Sequence, residues 1–280
     1  MPAFYLFRLK AYRSKQRPLF IKEISKQKFI ESLIFQKPSL EIRKGYVWHI
    51  GNVKKINDQG LFFALGRTTK SSKGQYDEES GDFLEISDQE SPFTYAVYDL
   101  KYSVIAISFK SKLSPTSGGI ARSLQKLLND HQYTRENEIR IEIAEISDPE
   151  SFISQMISAY SVIGFTMEFT EPNPFDVEKD FHEPMEKLLE ETGGEKGKTN
   201  IQGEDLDKEP LEELARSAAS TGNDASARIR KEKGTRPVTR HMKGDLVHLV
   251  IDDQDITEQT DNILSQVQQM YLAVRGADVK

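Results

Sequence analysis

Residues 138–171 read "EIRIEIAEISDPESFISQMISAYSVIGFTMEFTE", and the fold class turns on this stretch. "EIRIEIAEI" predicts a strand. Ser147-Asp148-Pro149-Glu150 then signals a helix start, with a capping side chain, a proline in the first turn and an acid near the positive helix end. "SFISQMISAY" is the helix and "SVIGFTMEF" a second strand. The unit closes at Pro172-Asn173-Pro174. A single β-α-β unit of this kind is compatible with a ferredoxin-like arrangement or with a mixed sheet.

Upstream, the pattern is mostly that of strands. In "AFYLFRLKAY" (3–12), Tyr5, Phe7, Leu9 and Ala11 alternate onto one face. "LFIKEISKQKFIESLIFQ" (19–36) carries a helical apolar stripe opposite Lys22, Lys26 and Lys28. "YVWHIGNVKKI" and "GLFFALGRT" flank Asn57-Asp58-Gln59-Gly60 and predict a hairpin. "TKSSKGQYDEESG" (69–81) reads as a polar loop. "TYAVYDL" and "SVIAISFK" predict a second hairpin, turning near Asp99–Ser103, and "SPTSGGIARSLQKLLND" a loop leading into a helix.

Downstream, "EKDFHEPMEKLLEET" predicts a helix up to Gly193, "GGEKGKTNIQGED" an exposed loop and "EPLEELARSAAS" a helix. "ASARIRKEKGTRPVTRHMKGD" reads as a basic hairpin, "LVHLVI" as a buried strand and "ITEQTDNILSQVQQMYLAV" as a terminal helix. The expected class is α+β, with a strand-rich N-terminal half with hairpins, a central β-α-β unit and a smaller C-terminal α/β part. The expected organisation is a β-rich domain over 1–174, an acidic connection over 175–205, and a C-terminal part over 206–280 packed on the first.

Among 280 residues there are no cysteines, which excludes disulfides and Cys-based zinc sites. The start, "MPAFYLFRLKAYRSKQR", is not a secretory signal, and no apolar run approaches the length that spans a membrane. A soluble cytoplasmic protein is expected. The net charge of −6 hides a segregation: residues 1–76 hold 16 Lys and Arg against 4 acids. Segment 176–213 carries 14 acids against 5 lysines, whereas 228–243 carries seven Arg and Lys against one Glu. Such asymmetry predicts either a polyanion-facing surface or complementary surfaces that pair within the fold or in an oligomer.

Five places could carry chemistry. In "TRPVTRH", Arg236 and His241 have a spacing that resembles one used by a class of bacterial RNases, where both residues sit on a helix and act on phosphate and 2′-OH. Gly234, Gly244 and the alternation of Val238, Arg240 and Met242 favour a basic strand instead. "TGGEKGKT" (192–199) is a near miss to a phosphate-binding loop, with Thr192 where the first glycine belongs. Ser117, Gly118, Gly119 and Arg122 have the ingredients of an anion site at a helix start, or of a simple cap. Asp252, Asp253 and Asp255 follow a strand, where catalytic metals are often held; helix capping is the plainer reading. Lys44, Lys54, Lys55, Arg67, Lys70 and Lys73 surround a hairpin bearing Tyr46, Trp48, His49, Phe62 and Phe63, and could meet phosphates and stack bases. No histidine cluster suggests a metal, and no cofactor is implied.

The strand "FYLFRLKAY", the hairpin "HIGNVKKINDQGLFFALGR" and the segment "SVIGFTMEFTEPNP" occur in an order that resembles uncharacterised small proteins of bacterial phage-defence and mobile-element loci. That resemblance implies an intracellular defence or accessory role and carries over no catalytic residue. The leading expectation is a nucleic-acid-binding or accessory protein without a catalytic centre. Its phosphate contacts would be Lys44, Lys54, Lys55, Arg67 and Lys70 with Arg228, Arg230, Arg236 and Arg240. The alternatives are a nuclease using Arg236 and His241 or the aspartates near 252, and a protein-interaction subunit or homo-oligomer whose acidic segment meets a basic partner.

Overall fold

The computed structural model describes residues 2–13, 25–170, 189, 191–192, 194, 196–251 and 256–276. Its first half supplies β1 (Ala3–Arg13), α1 (Lys26–Phe35), β2 (Ser39–Arg43), β3 (Tyr46–Asn57), β4 (Gly60–Tyr76), β5 (Phe83–Glu90), β6 (Phe93–Asp99), β7 (Val104–Ser108), α2 (Ser117–Asn129) and α3 (Gln132–Glu136). The second half supplies β8 (Ile139–Glu145), α4 (Glu150–Ile157), β9 (Ser161–Thr170), β10 (Lys196–Gln202), α5 (Lys208–Ser220), β11 (Ala225–Arg230), β12 (Val238–His241), β13 (His248–Val250) and α6 (Thr260–Arg275).

Two sheets result, and the class is α+β as the patterning predicts. The large sheet has nine strands in the order β13-β1-β7-β6-β4-β3-β2, with β5 beside β4 and β8 beside β1. The second has four, in the order β10-β9-β11-β12. Every strand pairing among the described residues is antiparallel.

The strand–helix–strand order of 138–171 is present, but its two strands part company. β8 pairs with β1 in the large sheet, while β9 is a central strand of the second. Helix α4 is therefore a crossover between sheets, and neither the ferredoxin-like nor the mixed-sheet arrangement forms. β9 pairs with β10 and β11 from later in the chain, and β13 returns to pair with Ala3–Tyr5 of β1.

The large sheet is covered on both faces, and β1 shows why. Phe7, Leu9 and Ala11 enter one core with α1 and α2. Phe4 and Leu6 enter the other, which lies between the large sheet and a layer made of the second sheet, α4, α5 and α6. The alternation of Tyr5, Phe7, Leu9 and Ala11 is thus a true face, but the opposite face is buried too. At the helix starts, Thr116 accepts from Gly119 N at 3.1 Å and Asp207 from Glu209 N at 3.1 Å, which satisfies amides the helices cannot.

Three segments differ from their local reading. The polar stretch 69–76 continues β4 and pairs with β5. Its hydrophilic composition carries no alternation, so the strand is marked only by its pairing with β5. "GKTNIQ", expected in a loop, is β10, paired with β9 from Lys196↔Thr170 to Gln202↔Gly164. "LVHLVI" is a three-residue edge strand, with Leu249 buried between exposed His248 and Val250. An edge needs only one apolar face.

A polar group lies inside the core between the layers. Arg8 is fully buried on β1 and donates to Tyr102 O and, at 2.7 Å, to Tyr271 Oη. Its guanidinium also lies 5.5 Å from the centre of the Tyr271 ring. Close by in the β6–β7 turn, buried Asp99 accepts through Oδ1 from Lys101 N (2.7 Å) and Tyr102 N (3.3 Å). Its other oxygen lies against the Gln268 amide, but neither Asp99 Oδ2 nor Gln268 Nε2 completes a well-shaped hydrogen bond. Burial dominates over the bonds to Lys101 and Tyr102 and pushes the Asp99 carboxyl up to about 6.

Candidate nucleic-acid interface

The second sheet turns one face to α4 and α5, and no described element covers the other. Because side chains alternate along a strand, the pairing register lays the open-face residues out in rows. One row runs Asn200–Thr166–Ser226–His241 across β10, β9, β11 and β12. The next runs Gln202–Gly164–Arg228–Thr239. A third pairs Lys198 with Glu168 at 3.9 Å, beside Asp224, whose carbonyl accepts from Glu168 N at 2.9 Å. A β-carbon on Gly164 would lie 3.5 Å from Arg228 Cβ, which puts Arg228 on the same open side. Thr166 Oγ1 donates to Asn200 Oδ1 at 3.3 Å, so neighbouring strands also tie through side chains.

Where the first and third rows meet β12, a cavity of about 180 Å³ is lined by Glu168, Lys198, Asp224, Ser226, His241 and Lys243, among others. Lys196 extends the face at its edge and pairs with Glu142 at 3.7 Å. Arg230 follows on β11, beyond a bulge at Arg228/Ile229. The arrangement offers cations, hydroxyls and amides on a sheet face that no described element covers, with no bulky aromatic in the rows.

The hairpin "ASARIR…VTRH" forms as read, but its arginines diverge. Arg228 is on the open face and Arg236 is exposed in the turn. Arg240 stands opposite Ala227, whose side chain is in the core, and its Nε is buried without a hydrogen bond. Arg236 and His241 are not on a helix, and the cavity takes in His241 without Arg236.

The basic N-terminal hairpin lies in the other sheet and is less available than its composition suggests. Lys55 pairs with Glu31 at 3.3 Å and with Asp58 at 3.6 Å, two of the few acids in that third of the chain. Arg67 lies 5.0 Å from the Tyr46 ring and donates to Lys112 O at 2.9 Å, a structural tie. Trp48, Phe62 and Phe63, candidates for stacking bases, are core residues. His49 bridges Ser39 Oγ (2.9 Å) and Thr68 Oγ1 (3.0 Å) across three strands. Lys44 and Lys54 remain exposed, and Lys70 sits within the β4–β5 ribbon opposite Gln89.

The two glycine motifs have internal occupants. A β-carbon on Gly118 would collide with Glu145 Oε1, so the start of α2 faces a carboxylate of the protein itself; Ser117 is buried, Thr116 is the cap that Gly119 N meets, and Arg122 is exposed. The cap, the plainer of the two readings of this segment, is present, and a carboxylate stands beside Gly118. A β-carbon on Gly197 would strike the ring of Phe169, its cross-strand partner. The glycine of "GKT" thus makes room for an aromatic side chain rather than for a phosphate. Asp252, Asp253 and Asp255 lie outside the described residues. Among the described residues, no group of three His, Asp or Glu is placed to hold a metal ion.

A family model described as a domain of unknown function, DUF4747, matches residues 12–268. The chain belongs to that family. The matched span runs from the end of β1 into α6, so the second sheet with its open face, and the large sheet apart from most of β1, lie within it. A comparison with curated proteins finds no match.

Sequence reasoning missed Thr166, Lys198, Asn200 and Ser226. The signal for Lys198 and Asn200 was present in "KGKTNIQ", where Lys196, Lys198, Asn200 and Gln202 alternate with Gly197, Thr199 and Ile201. The glycines drew that segment towards a loop.

Proposed function

We propose that the protein binds nucleic acid through the open face of its second sheet, as an accessory protein without catalysis of its own. The supporting observation is the gathering of Lys196, Lys198, Arg228, Arg230 and Lys243 along one sheet, where the neighbouring acids among the described residues are Glu142, Glu168 and Asp224. Basic side chains on a flat face neutralise successive phosphates, while the hydroxyl and amide rows supply hydrogen bonds to phosphate and sugar oxygens. With no aromatic in the rows, binding draws on the backbone more than on base stacking, so sequence preference is weak. A cytoplasmic setting, and a place in bacterial defence against phage, belong to the same reading.

Anisotropy titrations of labelled RNA and DNA oligonucleotides over increasing salt test it. About five phosphate contacts give a log–log salt slope of about −4 on duplex and somewhat less on single strands. The double variant Lys198→Ala/Arg228→Ala should lose about two units of slope and at least about tenfold in affinity at low salt. Wild-type protein that ignores both polymers at low salt would refute the proposal.

A second reading has one observation in its favour: His241 shares its cavity with Lys198 and Lys243. An imidazole beside two ammonium groups suits proton transfer on a bound phosphodiester, without Arg236. His241→Ala should then abolish cleavage of a labelled RNA while leaving its binding within about twofold of wild type. Wild-type protein that leaves every RNA intact removes this reading and leaves the first in place.

A further inference from the structure

The β4–β5 ribbon stands off the body. β6 pairs with β4 only as far as Gly66 and β3 only as far as Thr69, so residues 70–76 of β4 hold only β5. Two-stranded ribbons are marginal in water unless something covers them. At its end Tyr76 and Phe83 face each other with rings 5.1 Å apart, and they are 53% and 82% exposed. The turn that joins them is "DEESGD", four acids in six residues. It is a built turn: Asp77 N donates to Asp82 O at 2.9 Å, and Asp77 accepts from Glu79 N (3.0 Å) and Ser80 Oγ (2.9 Å). An aromatic pair so exposed, framed by acids, calls for an apolar and basic counterpart.

The chain carries such a counterpart elsewhere. At the α4–β9 junction Ile157 and Tyr160 are 47% and 51% exposed. Tyr160 N donates to Lys231 O at 3.3 Å, which seats this pair beside the basic β11–β12 turn, where Lys231 and Lys233 are exposed. Lys208 Nζ donates to Ile157 O at 2.9 Å and adds a third cation. The high exposure of Phe83 shows that the ribbon tip does not cover this patch within its own chain.

We infer that the ribbon tip of one copy docks on the Ile157–Tyr160–Lys231 patch of a second copy. The contact is head to tail, because the two surfaces differ, so copies add into rings or short chains. It weakens with salt, because its charges sit at the surface. The inference does not rest on nucleic-acid binding and is tested without nucleic acid.

Sedimentation velocity on full-length protein, freed of nucleic acid by nuclease and a high-salt wash, reads the association over a wide concentration range. Wild type should self-associate at low salt and dissociate at high salt. Phe83→Ser, Glu78→Lys/Glu79→Lys and Lys231→Glu/Lys233→Glu should each weaken association at least about tenfold. All change exposed residues, and circular dichroism confirms that each folds. Mixing the two charge-reversed proteins should restore association at low salt, since the substituted positions of tip and patch are then again of opposite sign. A wild type that stays monomeric at every concentration, charge variants that associate like wild type, or a mixture that fails to recover would each overturn the inference.

Discussion

Replacing Arg8 with alanine should destabilise the protein by about 3–5 kcal/mol, in the range seen when one partner of a buried charged network is removed. The side chain is fully buried and holds Tyr102 O and the Tyr271 hydroxyl. Alanine leaves that carbonyl and hydroxyl in an apolar core, opens a cavity and removes the cation from the Tyr271 ring. These contacts join β1 to the β6–β7 turn and to α6, so their loss acts on the layer interface itself. Arg8→Met keeps most of the volume and should cost less than alanine, the difference reporting the cavity. Urea unfolding gives both values. An alanine variant within about 1 kcal/mol of wild type would mean that the network contributes little.

The second large effect is a pH dependence that Asp99→Asn removes. The carboxyl, ordinarily at 3.8, is pushed up to about 6 in the fold, chiefly by burial. The folded state therefore holds the proton more tightly than the unfolded chain. The stabilising contribution is complete below about pH 4, falls as pH rises towards 6, and is absent above that, a total of about 3 kcal/mol. Asparagine keeps an acceptor for Lys101 N and Tyr102 N, and presents an amide to Gln268 where Oδ2 now lacks a good bond. The variant's stability relative to wild type should improve by about 3 kcal/mol between pH 4 and pH 7. Taking the difference cancels the titration of the other carboxylates. A difference that does not move with pH would show that Asp99 titrates normally.

Both effects come from charged residues that local patterning does not flag. Arg8 and Lys10 look like the solvent-facing half of an amphipathic strand, because they alternate with Phe7, Leu9 and Ala11. They are buried because β1 is a central strand with a layer on each side. Nothing in ten residues of sequence distinguishes a strand with one covered face from one with two. The same holds for "DEESGD" and the polar residues before it, which lack alternation although residues 69–76 pair with β5.

What the sequence by itself determined is local. The hairpin turn at Asn57–Gly60, the turn at Asp99–Ser103, helices α2, α5 and α6 and the basic hairpin around Gly234 all follow from turn chemistry, capping residues and apolar period, which act over a few residues. The α+β class follows from their sum. The tertiary structure alone decided how these pieces share sheets. It sent the two strands of 138–171 into different layers, because β8 finds β1 while β9 finds β10 and β11, partners far apart in the chain. It spent the acids Glu31, Asp58 and Glu145 on expected binding groups of the N-terminal half. It also brought His241 beside Lys198 and Thr166, residues that share no motif, because antiparallel register aligns side chains across strands however distant they are in sequence.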